Sequence, residues 1–395
     1  MREALLAARR RTLALADEVR AGLGPEYPGI PYAPELNPPL WELGHIAWFQ
    51  EWWIARNRQR TLGVACDPAH DRAPSLLPQA DAWYDSSRVA HRTRWELPLP
   101  PEAVTRDYLA RTLAQTLELL DALPPDAGDD ALYFFRLTAL HEEMHAEAAI
   151  YMAENLGIAV RTASPPAATG ALVELAVSAQ RFRLGSDGAG FAFDNELQSR
   201  EVALEAFCID SQPVSWERFL PFVEAGGYER REWWPDAGWD WLERQPARGP
   251  ARLRHGTAGW EQRRGERWRA LVPQQAAVHL TAHEARAWCR WAGRRLPSEA
   301  QWECAALTQP GFAWGQVWEW TASTFAPYPG FAPHPYRDYS APWFGSRQVL
   351  RGACHATPPA LAHARYRNFF EPQRSDVFAG FRSSRAAGAP SAPAV

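Results

Sequence analysis

Apolar residues follow a helical period over the first part of the chain. They recur at spacings of three and four, as in Leu109, Leu113 and Leu117, which is typical of a helix with one buried face. Pro-Pro pairs at 100–101 and 124–125 separate the later repeats, because proline ends or begins helices. The pattern predicts four helices, at 2–22, 39–58, 103–122 and 129–156. Four helices of this kind form a bundle.

The second part of the chain has a different pattern. Residues 161–170, RTASPPAATG, are Pro-rich and unpatterned, which predicts a linker between domains. Short alternating runs then predict strands at 172–177, 202–207 and 348–353, with helical pieces near 215–225 and 281–292. We therefore expect a bundle domain at 1–161 and an irregular α+β domain at 171–390.

Composition narrows the class of protein. A chain of 395 residues with 46% apolar and 22% charged residues has the make-up of two or three ordinary globular domains. Its net charge is -4 and it has no cationic run, so nucleic acid is not an expected partner. Every basic residue is Arg, which excludes a lysine Schiff base and the lysine of a Walker P-loop.

The sequence shows no pattern typical of a secretion signal or a membrane-spanning helix. The N-terminus mixes charges throughout, and no run of about 18 apolar residues follows. The five Cys are scattered without C-x-x-C spacing, which is unlike a disulfide scaffold or a cysteine zinc site. We expect a cytoplasmic protein without membrane contact. Twenty Trp favour aromatic-lined pockets.

Three histidines in the predicted bundle are candidate metal ligands. His141 and His145, in TALHEEMHAEAA, stand four residues apart, so both imidazoles project from one helix face about a turn apart. His45 lies on the second predicted helix among apolar and aromatic residues, which places it inward. Three imidazoles with open positions suit Fe(II) that binds a soft donor together with O2. The residues alone leave zinc as an alternative.

Other interpretations of the same residues stay open. HEEMH matches the zinc-protease pattern H-E-x-x-H, with Glu142 as the general base. The metzincin continuation, however, needs Gly and His where the chain has Ala148 and Tyr151. Single histidines on apolar faces are usually core residues, and charged neighbours fit a solvated face. An alternative from another class is a metal-free binding module.

Long blocks on both sides of the linker resemble one known family. PPLWELGHIAWFQEWW and HEEMHAEAAIYM resemble the DinB-like bundle of the ergothioneine-biosynthesis sulfoxide synthases. The second half resembles the formylglycine-generating-enzyme domain that follows this bundle in the family. The matching blocks there are PVSWERFLPFVEAGGY, LTAHEARAWCRWAGRRLPSEAQWECAA, GQVWEWTAS, VLRGACHATPP and YRNFFEPQRSDVFAGFR.

The resemblance covers nearly the whole chain and carries several expectations. It implies a DinB-like four-helix bundle and a C-terminal domain with a C-type-lectin-like α+β fold. It also implies Fe(II) ligation by His45, His141 and His145, with O2 as co-substrate. The implied reaction is carbon–sulfur or carbon–selenium bond formation at imidazole C2 of trimethylhistidine (hercynine), in a cleft between the two domains.

Two departures from the family pattern concern the sulfur or selenium donor. Enzymes that use γ-glutamylcysteine carry an Arg-rich segment after the second helix, whereas residues 79–100 here read QADAWYDSSRVAHRTRWELPLP. Met144 stands where Gln commonly precedes the second histidine of the pair. The segment resembles that of relatives that make selenoneine from a selenosugar. We therefore expect a selenosugar donor near Arg88 and Met144, with γ-glutamylcysteine or cysteine as the alternative.

The resemblance also suggests roles in the second half of the chain. Tyr336 and Tyr339 are candidates for the acid that delivers a proton. Asn368 and Phe369 are candidates for recognising the trimethylammonium group, which donates no hydrogen bond and is bound by aromatic faces or amide oxygens.

Two metal sites of formylglycine-generating enzymes have weaker counterparts here. Cys354 stands alone in RGACHATPP, so we expect a substrate-binding domain without a copper-binding Cys pair. The block GQVWEW resembles a calcium-site segment and implies calcium as a further ligand, although Gln316 replaces the usual Asn.

Overall fold

The chain forms two compact units in a computed structural model that describes residues 1–161 and 172–388. The first unit contains Met1–Arg161 and two short returning segments, Ala189–Phe191 and Pro333–Tyr339. The second unit contains the other described residues. Nearly all of the predicted linker, 162–170, lies outside the described residues. Within the described ranges, no helix is long and apolar enough to cross a membrane.

The first unit is a helical bundle, as predicted. Its helices are α1 (Arg2–Leu23), α2 (Pro39–Trp53), α3 (Ala80–Tyr84), α4 (Glu102–Asp121) and α5 (Asp129–Asn155). The four long helices match the predicted spans closely, except that α2 ends at Trp53 and not near residue 58. The short helix α3 was not predicted.

Local sequence explains where these helices begin. Helix α2 begins with Pro39, and α4 follows Pro101 as its N-cap. Proline suits the first helical position because its missing N–H has no partner there anyway. Helix α5 begins with Asp129 and Asp130, whose charges are favourable at the positive end of the helix dipole. Thirteen of the fifteen residues of α2 are buried. Any polar side chain on this helix therefore needs a partner inside the bundle.

The second unit is α+β, which confirms the predicted fold class. Its helices are α6 (Trp216–Glu224), α7 (Asp236–Glu243), α8 (Ala282–Trp291) and α9 (Glu299–Thr308). Its strands are β1 (Glu174–Val177), β2 (Gln180–Leu184), β3 (Arg200–Leu204), β4 (Phe207–Asp210), β5 (Leu253–Gly256), β6 (Gly259–Arg264), β7 (Arg267–Ala270), β8 (Trp318–Thr324), β9 (Gln348–Gly352), β10 (Asn368–Phe370), β11 (Ala379–Phe381) and β12 (Ser384–Ala386).

The strands form small sheets in place of one large one. A four-stranded sheet has the order β10-β9-β8-β11, in which β11 pairs with β8 in parallel and the other pairs are antiparallel. Two three-stranded sheets have the orders β1-β4-β12 and β5-β6-β7, and β2 pairs with β3. Pairing of β4 with strands from both ends of the domain sequence closes the unit.

Buried arginine–carboxylate pairs hold this unit together. Arg382 binds Glu319, and Arg351 binds Glu303, with all four side chains fully buried. Arg382 also donates to the backbone carbonyl of Asp210 at 2.9 Å. Charges buried in this way are stable only when every one is paired and hydrogen-bonded, so these contacts fix the arrangement of β4, β8, β9 and α9.

Candidate metal centre

The structure brings the three candidate histidines together inside the first unit. His45 comes from the middle of α2, and His141 and His145 lie one turn apart on α5. One ligand atom from each lies within 4.8 Å of the other two. Nε2 of His141 and Nε2 of His145 are 3.2 Å apart. His45 and His141 are each 3% exposed, so these two rings are shielded from bulk water, whereas the His145 side chain is 19% exposed.

Two of the imidazoles are held in a fixed tautomer by their Nδ1 atoms. His45 Nδ1 lies 2.8 Å from the backbone carbonyl of Tyr84, and His145 Nδ1 lies 2.5 Å from Glu42 Oε2. A carbonyl and a carboxylate only accept hydrogen bonds, so each Nδ1 carries the proton. Nε2 of both rings therefore presents its lone pair as a ligand atom.

Aromatic rings fix the planes of these imidazoles. Trp41 stacks on His45 with ring centroids 4.8 Å apart and planes 8° from parallel. Phe49 stacks on His141 at 3.5 Å and 6°. These contacts restrict rotation of the His45 and His141 rings.

The electrostatics of the cluster suit a cation. Burial, with a smaller contribution from the neighbouring His145, lowers the pKa of His45 to about 3. Burial also places the pKa of His141 well below its ordinary value. Both rings are therefore neutral at physiological pH, which is the form that binds a metal. Neutral, converging imidazoles with their tautomers set from behind fit a divalent transition metal.

Glu42 is a site residue that the sequence analysis missed. It lies three residues before His45 on α2 and is 8% exposed. Burial raises the pKa of Glu42, but its hydrogen bond to His145 and electrostatic interactions with His145, His45 and Arg94 outweigh this effect and bring the pKa below its ordinary value. The signal in the sequence was the i, i+3 spacing, which puts Glu42 and His45 on one helix face. Its contact with His145, however, joins residues 103 positions apart.

A pocket that is partly open to solvent adjoins this part of the cluster. It is lined by residues of α1, α2, α5 and the segment between α1 and α2, and eleven of its sixteen lining residues are apolar. Glu42 and His145 belong to its wall. Glu42 Oε1 and Thr12 Oγ1, both buried, have no hydrogen-bond partner among the described residues.

Tyr336, a predicted proton donor, lies in the first unit close to the histidines. Its ring centroid is 4.8 Å from that of Phe49 and 6.2 Å from that of His141. Burial, and to a smaller extent Asp338 and Asp85, raises its pKa above the ordinary value. Tyr339 is one ring further out, 5.9 Å from Tyr336. The neighbouring His334 anchors this segment to the bundle through a 2.9 Å contact between Nδ1 and Tyr133 OH.

The predicted substrate residues are distributed over both units. Met144, on α5 beside His145, is partly buried, and Arg88 is an exposed residue in the turn after α3. Asn368 and Phe369 open β10 in the second unit. Asn368 Oδ1 accepts a hydrogen bond from the backbone N–H of Phe369 at 2.9 Å, and Phe369 stacks on Phe325 at 4.0 Å. Their substrate roles stay predictions.

One acidic side chain of the block that resembles a calcium site, Glu319, is engaged by other protein groups. Glu319 accepts hydrogen bonds from Arg382 and, at 2.8 Å, from Trp302 Nε1. Gln316 Oε1 is buried and lacks a hydrogen-bond partner within residues 1–161 and 172–388. Calcium binding at this block stays a prediction.

Two family models match the chain, one in each half. The DinB superfamily model matches residues 4–153, and the sulfatase-modifying factor enzyme 1-like domain matches 172–314 and 312–387. A helical bundle with converging histidines, joined to such a domain, defines the class: two-domain enzymes that combine a DinB bundle with a formylglycine-generating-enzyme-like domain.

Relatives along the full length make the assignment more specific. A protein of Mycobacterium tuberculosis named hercynine oxygenase is 32% identical, with 96% of each chain covered. The hercynine oxygenase of Mycolicibacterium thermoresistibile is also 32% identical, over 96% of this chain and 93% of that one. The formylglycine-generating enzyme of Streptomyces coelicolor is 26% identical over 49% of this chain and 83% of its own. The chain belongs to the hercynine oxygenase family.

Proposed function

We propose that this protein is a non-haem Fe(II) enzyme that uses O2 to join selenium or sulfur to imidazole C2 of hercynine. The observation that carries the proposal is the convergence of three histidines, His45, His141 and His145, in a chain of the hercynine oxygenase family. In this proposal the bundle, 1–161, supplies the metal ligands, and the domain at 171–390 supplies contacts to hercynine through Asn368 and Phe369.

The residues of the first unit have separate tasks in this reaction. His45, His141 and His145 hold Fe(II), which when bound supplies a site for a soft selenium or sulfur donor and for the reduction of O2. The Phe49 and Trp41 rings exclude water from the imidazoles. The phenol of Tyr336 is protonated at neutral pH, as tyrosine ordinarily is, and burial raises its pKa further. It can therefore deliver that proton to a reduced oxygen.

The proposed coupling balances in atoms and electrons. The C2–H bond of hercynine and the Se–H bond of the donor break, and one C–Se bond forms. Oxygen takes up four electrons, two from these bonds and two from selenium. One oxygen atom ends in a selenoxide and the other in water. Loss of the sugar from this selenoxide with water would leave a selenenic acid, and a later two-electron reduction by a thiol would be needed to give selenoneine.

A selenosugar donor is supported by how the arginines of segment 79–100 are engaged. The guanidinium of Arg94 lies 3.9 Å from the ring centroid of Trp41 and donates to Asn37 Oδ1 at 2.8 Å. Arg92 lies over Tyr32 at 4.9 Å. Two of the three arginines thus stack on aromatic rings. This arrangement suits a site that binds a sugar better than a clamp for two carboxylates. A thiol donor, giving a sulfoxide, is the second candidate, supported by the 32% identity to hercynine oxygenases.

A comparison of donors with iron-loaded protein tests the proposal. Hercynine and O2 are supplied with a selenosugar, with γ-glutamylcysteine or with no donor, and C2-coupled products are measured by mass spectrometry. We expect the highest kcat/KM with the selenosugar. Preference for γ-glutamylcysteine would replace the donor assignment, and no coupled product with any donor would refute the function. His255→Ala, which removes an exposed histidine of the second unit, is the control and should leave coupling unchanged.

A further inference from the structure

Glu42 is buried at a place where the fold gains little from a carboxylate. Its side chain is about 10% exposed, and its one protein hydrogen bond, from His145, engages Oε2. The other oxygen, Oε1, is buried without a partner in the described part of the chain. Burying a carboxylate that is only half satisfied destabilises a fold. A leucine at this position would suit α2, whose neighbouring residues are mostly apolar.

We propose that Glu42 is a positioning residue for the metal, acting through His145. Its carboxylate accepts the Nδ1–H of His145 and so keeps that ring in the tautomer whose Nε2 faces His45 and His141. A carboxylate acceptor also makes Nε2 a stronger electron donor than a neutral acceptor does. The proposal rests on the proposed function only in that a metal occupies the three-histidine centre.

The same centre contains an internal comparison. His45 Nδ1 is held by a backbone carbonyl, that of Tyr84, at 2.8 Å. His145 Nδ1 is held by an acidic side chain at 2.5 Å. Both acceptors fix the tautomer, but only Glu42 adds a negative charge. The three ligands therefore differ in electron-donor strength. Of the two histidines whose tautomers are fixed, His145 is the stronger donor.

The spacing of Glu42 and His45 along α2 lets one helix serve two of the metal ligands. Glu42 and His45 lie three residues apart and share a helix face. One helix thus brings both a ligand and the residue that orients a second ligand from α5. A shift of α2 along its axis would disturb His45 and His145 together, so register between α2 and α5 determines the metal site.

Metal affinity without turnover tests the proposal. Metal-free wild type, Glu42→Gln and Glu42→Leu are titrated with Co(II) and Zn(II) against a competing chelator, and with Fe(II) under anaerobic conditions. Glu42→Leu removes the acceptor and should weaken binding roughly 10- to 100-fold. Glu42→Gln keeps an acceptor oxygen but loses the charge, so its loss should be smaller. Glu42→Asp should recover part of the affinity.

A matched control separates this role from a general defect in the bundle. Glu51→Gln alters a second buried glutamate of α2 that is 1% exposed and binds Ser75 and Tyr108 but no histidine. Its folded protein should keep wild-type metal affinity. An equal loss in Glu51→Gln would assign the effect to packing and overturn the proposal.

The tautomer of His145 gives a second readout. In Zn(II)-loaded protein with 15N-labelled histidine, NMR should show a hydrogen-bonded Nδ1–H on His145 in the wild type, and in Glu42→Leu the signal of this proton should move upfield and exchange faster with water. Binding within twofold of wild type together with an unchanged His145 signal in Glu42→Leu would contradict the proposal. Strong metal binding without hercynine coupling would count against the proposed function and leave this inference intact.

Discussion

Glu142 is the residue of HEEMH that would serve as general base in a zinc hydrolase, but in the bundle it is engaged by Arg9. Arg9 Nε donates to Glu142 Oε1 at 2.7 Å, and Arg9 Nη2 donates to Oε2 at 3.2 Å. Arg9 also binds Gln50 Oε1 and the backbone carbonyl of Leu109. Arg9 is 4% and Glu142 is 1% exposed. The pair therefore joins α1, α2, α4 and α5 at their centre.

We predict that Glu142→Leu strongly destabilises the first unit and leaves the metal ligands in place. The substitution strands a buried guanidinium, and removal of one partner from a buried ion pair costs about 3–5 kcal/mol. For a unit of this size, each kcal/mol lowers Tm by roughly 2–4 °C, so the expected fall is roughly 6–20 °C. A catalytic base, in contrast, would be removable with little effect on stability.

Thermal unfolding followed by circular dichroism measures this effect, and a double variant identifies its cause. Arg9→Met with Glu142→Leu leaves no stranded charge, so it should recover at least half of the lost stability. Glu3→Leu is the exposed control: its pair with Arg10 is 77% and 63% exposed and should contribute less than about 1 kcal/mol. A Glu142→Leu protein that melts with the wild type would refute the structural role of Glu142.

Three further predictions follow from particular contacts. Gly44→Ala should destabilise the bundle and weaken metal binding in chelator competition, because its Cβ would lie 2.1 Å from the ring of Tyr84. The cost of overpacking, about 1–3 kcal/mol, should outweigh the gain of about 1 kcal/mol from replacing glycine in a helix. Gly128→Ala, whose Cβ would have nothing within 4 Å, is the control, and equal metal affinities of the two variants would contradict the prediction. Burial lowers the pKa of His283 to about 4, whereas the unfolded chain binds this proton below about pH 6.5. The neutral His283 ring is therefore fully compatible with the fold above about pH 6.5, and the free energy of unfolding falls as pH drops toward 4, by about 1–2 kcal/mol at pH 5. His283→Gln should flatten the slope of stability against pH, and an unchanged slope would show that His283 is not the cause. Tyr336→Phe should lower kcat with iron content and KM unchanged, and an unaltered kcat would remove Tyr336 from the reaction.

The helices that carry the candidate ligands were readable from the sequence because their signals are local. Periodic apolar residues and the Pro-Pro pairs at 100–101 and 124–125 defined α4 and α5, and the i, i+4 spacing put His141 and His145 on one face. Helix α9 was missed although Ser298 and Gln301 form a capping box at its start. That S-x-x-Q pattern is a usable signal, but the helix is apolar on most sides and gives little periodicity.

The acceptors that orient the histidines could not be predicted from local pattern. Glu42 and His145 are 103 positions apart, and His45 is held by the backbone of Tyr84, 39 positions away. Both contacts depend on the register between helices, which side-chain packing sets. The return of Pro333–Tyr339 to the first unit is likewise a tertiary feature. Only the family resemblance pointed to Tyr336.

The most direct test of the central claim is product formation by single-histidine variants loaded with Fe(II). Wild type, His45→Ala, His141→Ala and His145→Ala are each measured for bound iron and for O2-dependent coupling of hercynine with a selenosugar, with folding checked by circular dichroism. We expect about one iron and a C2-coupled product for the wild type, and folded variants that lose both. Near-normal coupling with iron still bound in any of the three variants would contradict the claim that these histidines form the catalytic metal centre.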